Sequence, residues 1–522
     1  MHLKKLVTTL LLIGSIQQVS STEANPQKWY GLLNWTPSKS MPKLIAEARK
    51  RHAKRKLANY SAIDVKSISQ EYKDIVRNVL NAKTPDQIHG LLLSLDKKID
   101  SMPQDAKFLG AQLLMFKEFR GIIYRMIPMV SKHNATHSFL RNQVKVVASN
   151  MRIYLPLQHW EAGFDYLVEP YLISKKEKAV VDQFEDISAV KNKIHSGKFE
   201  AIVASEQFQD YVGKHVYSAF ARATNIIEDL NFEKPIVWDN RIAFGSDSYK
   251  DDFEETRYRK VGEAERLLAL SSLHMGMHYI KYLISYDVKG SLSLAKDIGK
   301  LYGIDGFALG ETVGVPSYKW VKQVQKSKYD NIGRIRPGGK NNMAQSYNHL
   351  KEGVKLLRIA REELRNEPAD KFFVIDPSRL NVWDENIEKQ FKHIECLTDD
   401  QKEDSPSECA IRSAITGHTV VVDLKNFYLN PPKNLKIFLP TDWKVNKGKV
   451  RRKIAFKKEY TKHGVTYPNY TWGTPTKWDI SAYKKHVFPN INKSSEIPEY
   501  IRTLRQSFGG EAFGVPMAIF VE

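Results

Sequence analysis

The sequence predicts a mainly α protein, with helical bundle-like N-terminal and middle parts and a mixed α+β C-terminal portion. Three observations carry that expectation. Apolar residues recur at three- and four-residue spacing through most of the chain before the first cysteine. Short β-branched or aromatic runs bounded by Pro, Gly and Asn gather past Ala410. The chain has 522 residues, more than one hydrophobic core usually serves, so two or three units are expected.

At the start, MHLKKLVTTLLLIGSIQQVSSTEA has a basic beginning (His2, Lys4, Lys5), an apolar run from Leu6 to Ile16, and small residues suited to cleavage after Ser21 or Ala24. Residues 1–21, or up to 24, therefore read as a secretory signal peptide. The apolar run falls short of the roughly 20 residues needed to cross a bilayer. Farther on, the nearest apolar candidate, Leu267 to Ile284, is interrupted by Ser271, His274, His278 and Lys281. The expectation is an exported chain, periplasmic or extracellular, with no transmembrane span once matured.

Residues 25–150 read as a helical unit. Its basic block ARKRHAKRK, from Ala48 to Lys56, has charge around the whole helix and so cannot be a core element. Thr84 then serves as N-cap with Pro85 in the first turn, and Ile88, Leu91, Leu92, Leu95 and Ile99 form one stripe. Pro103 opens a further helix bearing Phe108, Leu109, Leu113, Phe116 and Ile123, and another follows from Thr136. Residues 151–395 form the second helical unit, with helices expected over Gln207 to Leu230, Gly262 to Tyr286 and Gln345 to Arg365. Between the last two, GRIRPGGKNN from Gly333 reads as a loop in which Arg334, Arg336 and Lys340 could contact an anion. Residues 396–522 form the strand-containing unit, with strands expected at Thr419 to Leu424, Leu435 to Leu439, Lys449 to Phe456 and the terminal MAIFVE.

The two cysteines, Cys396 and Cys409, flank an acidic segment, and export into an oxidising compartment predicts a disulfide between them. Closing that loop would contribute about 3 kcal/mol in the chain-entropy picture. The formal net charge is +21, which favours an acidic partner: polysaccharide, cell-envelope component, nucleic acid or an anionic surface. In KVRRKIAFKK, strand alternation groups Lys449, Arg451, Lys453 and Lys457, and the following VTYPNYTWGTPTKW offers Tyr470, Trp472 and Trp478 for stacking.

Two catalytic arrangements compete with that binding role. Glu161 and Asp165, one helical turn apart beside His159, Trp160 and Tyr166, supply the carboxylate pair and the rings a glycan hydrolase needs. His274 and His278, also one turn apart, have the spacing at which a helix presents two imidazoles to zinc. Met275 stands where the zinc-protease motif has its glutamate base, no third ligand is spaced to join them, and Lys281 is close. The helix therefore reads as core with a polar margin, and neither metal nor cofactor is expected. With phosphate-loop and nucleophile-elbow motifs also lacking, the expected role is interaction or structure rather than catalysis.

Overall fold

A computed structural model describes residues 63–122, 166–167, 208–232, 234–244, 257–288, 317–366, 373–374, 409–412, 417, 419–452 and 465–507. Within them helices dominate, accompanied by three two-stranded antiparallel sheets. No helix among the described residues is long and apolar enough to cross a membrane.

The N-terminal helices follow their sequence signals closely. Helix α1 (Gln70–Asn81) begins where the Ser69 hydroxyl accepts from the Tyr72 N–H, and Asp105 holds that hydroxyl at 2.8 Å. It buries Tyr72, Ile75, Val76 and Val79. Helix α2 (Pro85–Lys98) is capped by Thr84, whose hydroxyl accepts from the Gln87 N–H, and it turns Ile88, Leu92 and Leu95 inward. Helix α3 (Gln104–Leu114) follows Pro103, with Phe108 against Phe232 and Trp238. It stops at Leu114, short of the expected stripe's end, and a 3-10 turn over Lys117–Phe119 replaces it. That turn is tied back to α2 by Lys117 on Asp96 at 2.6 Å and Arg120 on Asp86 at 2.7 Å.

In the middle of the chain, the helical stretch from 208 passes through a π turn (Val212–Val216) into α4 (Tyr217–Glu228). Strands β1 (Ile236–Asp239) and β2 (Tyr258–Val261) pair around the short helix α5 (Arg241–Phe244). The Tyr72 hydroxyl accepts from the Asp239 N–H, which joins α1 to this sheet. Helix α6 (Glu263–Ser285) and helix α8 (Gly339–Asn366) run antiparallel along each other, with α7 (Ser317–Val324) between them in sequence. Two glycines set the approach. A Cβ on Gly339 would collide with the Ser285 carbonyl oxygen, and one on Gly353 would lie 3.1 Å from the Met275 sulfur and 3.3 Å from the Ser271 oxygen.

The expected loop from Gly333 is shorter than the sequence implies, because α8 starts at Gly339. Gly333 and Gly338 take positive φ, and between them the backbone pairs on both sides. Ile335 bridges Tyr286 on one side, and Arg334 bridges Asn434 on the other. Arg336 does not reach out for an anion. Its guanidinium contacts Asp210 at 2.6 Å.

In the C-terminal part, β3 (Cys409–Arg412) pairs with β4 (Thr419–Val422), after which the Asp423 carboxylate caps α9 (Leu424–Leu429). The expected strand Leu435 to Leu439 is instead a 3-10 helix, Leu435–Phe438, entered through an Asn434 side-chain cap. So short an apolar run carries no period, and the cap decides its conformation. Strand β5 (Asp442–Arg452) pairs with β6 (Val465–Lys477), which is longer than the prolines and glycines in its sequence suggest. Two register shifts, at Asp442/Trp443 and Gly448/Val450, accommodate Pro475 and Pro468 by relaxing the ladder beside them. Helices α10 (Ile480–His486) and α11 (Ile497–Ser507) close the described chain, and buried apolar residues from α1 to α11 form one continuous cluster.

Several sequence expectations lie outside the described residues. These are the signal segment, the basic block at 48–56, the helix from Thr136, Glu161, Asp165, Lys453, Lys457, Cys396 and the terminal run. Of the expected disulfide, only the Cys409 backbone falls within them, at the start of β3.

Candidate functional site

A group of titratable side chains lies in the seam where α6 meets α8 and α4. Its position follows from the close approach of the two long helices at Gly353, where the Ser271 hydroxyl donates to the Gly353 carbonyl at 2.7 Å. One helical turn beyond Ser271 stands His274, and one turn before Gly353 stands His349. Their Nδ1 atoms face each other at 3.1 Å.

Each ring is held from its far side. His349 Nε2 lies 2.9 Å from the Tyr217 hydroxyl, and His274 Nε2 lies 3.5 Å from a Glu228 carboxylate oxygen. Both partners come from α4, Tyr217 at its first residue, just past the π turn, and Glu228 at its last. A π turn inserts a residue into the helical ladder and rotates the next turns relative to the last, which is how it re-aims side chains. The other end of α4 is fixed by Arg266. Its guanidinium forms paired bonds to Glu263 at 2.7 and 2.6 Å and donates to the Ile227 carbonyl at 2.8 Å. A cation on the last carbonyls of a helix complements its dipole, and here it also sets where Glu228 stands.

His274 and His278 do not share a site. The His278 Nδ1–H donates to the Ser346 carbonyl at 3.0 Å, and the Ser346 hydroxyl donates back to the His278 carbonyl at 2.8 Å. The carbonyl acceptor fixes the tautomer, because Nδ1 must carry the proton. The His278 ring then packs against Tyr428, with its Nε2 3.5 Å from that hydroxyl. Lys281, one helical turn from His278, places its ammonium 3.8 Å above the Tyr217 ring.

Burial dominates the electrostatics. It lowers the His278 pKa to about 4 and the His349 pKa to about 4, the latter also through the cationic forms of His274, His278 and Lys281. Burial lowers His274 too, against the opposing pull of Glu352 and Glu228. Lys281 is likewise lowered by burial. At neutral pH the facing imidazoles are uncharged, so each keeps a nitrogen lone pair. Tyr217, His349, His274 and Glu228 thus form a line of groups able to pass a proton or to present nitrogen to a cation.

Sequence reasoning finds His274 and misses its partners. His349 is hidden because its own helix pattern, read from Leu350, Val354, Leu357 and Leu364, places it at the edge of the buried face. The usable signal is a histidine on each of two long helices, each near a small residue that permits close packing: Ser271 and Gly353.

The other candidate is the ribbon of β5 and β6. Its register sets Asn446 opposite Trp472, Gly448 opposite Tyr470, Val450 opposite Tyr467 and Arg451 opposite Thr466. Lys449 falls at the second register shift. At the root, Lys444, Val445 and Lys477 lie toward solvent, while Trp443 packs partly against the core. Trp478 is not available for stacking on a ligand. It is 6% exposed, because the Ser494 hydroxyl takes its backbone N–H at 2.7 Å and draws the strand end into the core. Of the carboxylate pair's neighbours, Tyr166 is described, and it is an anchor. It is fully buried, with its hydroxyl donating to the Lys117 carbonyl at 3.0 Å.

Comparison with protein-family models, with curated proteins and with solved structures finds no match to this chain.

Proposed function

We propose that the chain is an exported basic protein that binds an anionic polymer or surface, in an interaction or structural role, through the β5–β6 ribbon. The observation that carries this is charge density on a paired element. On the two paired strands, Asp442–Arg452 and Val465–Lys477, six Lys and Arg stand against one Asp and no Glu. A two-stranded ribbon offers its edges to an extended ligand, and its strand of Tyr467, Tyr470 and Trp472 runs beside the basic one. Cations supply affinity by releasing counterions, and rings add stacking that tolerates many sugars or bases. Export is inferred from the leader segment, and it directs the choice of ligand toward envelope or extracellular polyanions.

Retention on immobilised heparin, as a generic sulfated polymer, tests the proposal. Elution should shift strongly with salt, and the Lys449→Glu/Arg451→Glu double variant should elute at distinctly lower salt with unchanged thermal stability. Retention that ignores salt, or is the same in the double variant, overturns it.

A further inference from the structure

We propose that the line from Tyr217 to Glu228 is a proton-driven switch, in which one proton resting on His274 reverses both hydrogen bonds of His349 and a second proton, on His349, breaks the ring pair that ties α6 to α8. The device is separate from the ribbon and does not depend on its role. Its basis is the direction of the bonds. Two neutral imidazoles with Nδ1 atoms 3.1 Å apart share one proton between those atoms, so one ring must donate and the other accept.

The ends of the line decide which. The His274 Nε2 faces the Glu228 carboxylate at 3.5 Å and no other group among the described residues takes that nitrogen. A lone pair there would point at a negative charge in a buried place, so Nε2 carries the proton and His274 Nδ1 accepts. His349 therefore donates from Nδ1, and its Nε2, left with a lone pair, accepts from the Tyr217 hydroxyl at 2.9 Å. Every bond in the resting line points from Tyr217 toward His274.

The first added proton belongs on His274. The Glu228 carboxylate of α4 and the Glu352 carboxylate of α8 favour its charge, with Lys355 of α8 opposing. His349 meets no such support: His274, His278 and Lys281 of α6 all act against its cation, and α4 presents only the Tyr217 hydroxyl to it. The uptake balances as a hop. His349 passes its Nδ1 proton to His274 Nδ1 and takes the Tyr217 proton on Nε2, while half-buried Tyr217 takes the arriving proton from water. His274 then donates to His349, His349 donates to the Tyr217 oxygen, and the charge rests beside Glu228 with the ring pair intact. A second proton has only His349 Nδ1 to occupy. Two N–H donors and two cations would face each other at 3.1 Å with no acceptor between them, so the pair must part.

The test is nuclear magnetic resonance of the full chain, its histidines labelled with the heavy nitrogen isotope, from about pH 8 to about pH 4. His274→Gln and His349→Gln assign the two rings. At the alkaline end, the proton is expected on Nε2 of His274 and on Nδ1 of His349. On acidification His274 should become doubly protonated first, and in that same step the His349 proton should move from Nδ1 to Nε2. Glu228→Gln, at a side chain 49% exposed where folding is not at risk, should lower the pH of this step by about one unit. His215→Gln, a ring stacked on Tyr211, should leave it unchanged. A His349 proton already on Nε2 at pH 8 overturns the proposal, as does one that stays on Nδ1 when His274 becomes charged. Both rings charging in a single step, or loss of the native spectrum before His274 titrates, overturns it equally.

Discussion

Helix α2 and helix α6 bury themselves in opposite ways. Helix α2 is a surface helix with one apolar stripe, a hydroxyl cap at its start and two lysines in its last turn. Helix α6 is enclosed around nearly all of its circumference, and what it encloses includes Glu263, Arg266, His274, His278 and Lys281. The first is stabilised by apolar area, which tolerates change in proportion to the area lost. The second depends on paired polar groups, where removing one partner strands the other in a medium that cannot solvate it.

The sharpest break of that comparison is Arg266→Met. It leaves the buried Glu263 carboxylate without its guanidinium and the end of α4 without its donor, so a loss of about 3–5 kcal/mol is expected in urea unfolding. Leu92→Ala in α2 should cost about 2–5 kcal/mol by cavity formation alone. Its loss should be the same at pH 5 and pH 7, whereas the seam responds to protons.

The sign of that response follows from His278. Its folded pKa, about 4, lies below the ordinary 6.5, so the unfolded chain binds the proton first as pH falls. The stabilisation is complete above pH 6.5 and is lost progressively down to about pH 4, by roughly 3 kcal/mol for this group. Thermal melts between about pH 7 and pH 4 should show a falling midpoint, and His278→Gln should flatten the slope. A midpoint independent of pH would remove His278 from that account.

Smaller effects refine the picture. Gly353→Ala asks the Met275 sulfur and the Ser271 carbonyl to yield a few tenths of an ångström, and about 1–3 kcal/mol is expected in denaturant titration. Thr84→Ala removes the α2 cap at a cost of about 1 kcal/mol. If the glycine change proved the milder of the two, the seam would be looser than its contacts imply.

The same contrast explains what the sequence could convey. Helix α2 announces itself through Thr84, Pro85 and its stripe because each of those signals is local. Helices α6 and α8 are legible as helices, but the meeting of His274 with His349 is a property of two faces 75 residues apart in sequence. No spacing within either helix encodes it. His278 looks equivalent to His274 by spacing and differs because the Ser346 carbonyl, from the other helix, accepts its Nδ1–H and Tyr428 packs on its ring. Strand β6 is concealed by Pro468, Pro475 and Gly473, whose local preference for turns is overridden by extended pairing with β5. Trp478 carries the aromatic signature of the ribbon and belongs to the core instead, one residue past the end of β6.

The short strip from Gly333 to Arg336 has a further consequence. It bonds to Ser285 and Asp287 at the end of α6 and, through Ile335 and Gly333, to Lys433 and Leu435 ahead of the 3-10 turn. Tyr428 adds a stacked contact with Tyr347 across the same junction. A chain nicked once between Asn366 and Cys409 would therefore stay together. Its halves would travel as a single particle on a sizing column, part only in denaturant, and reassemble when mixed, as a split protein does.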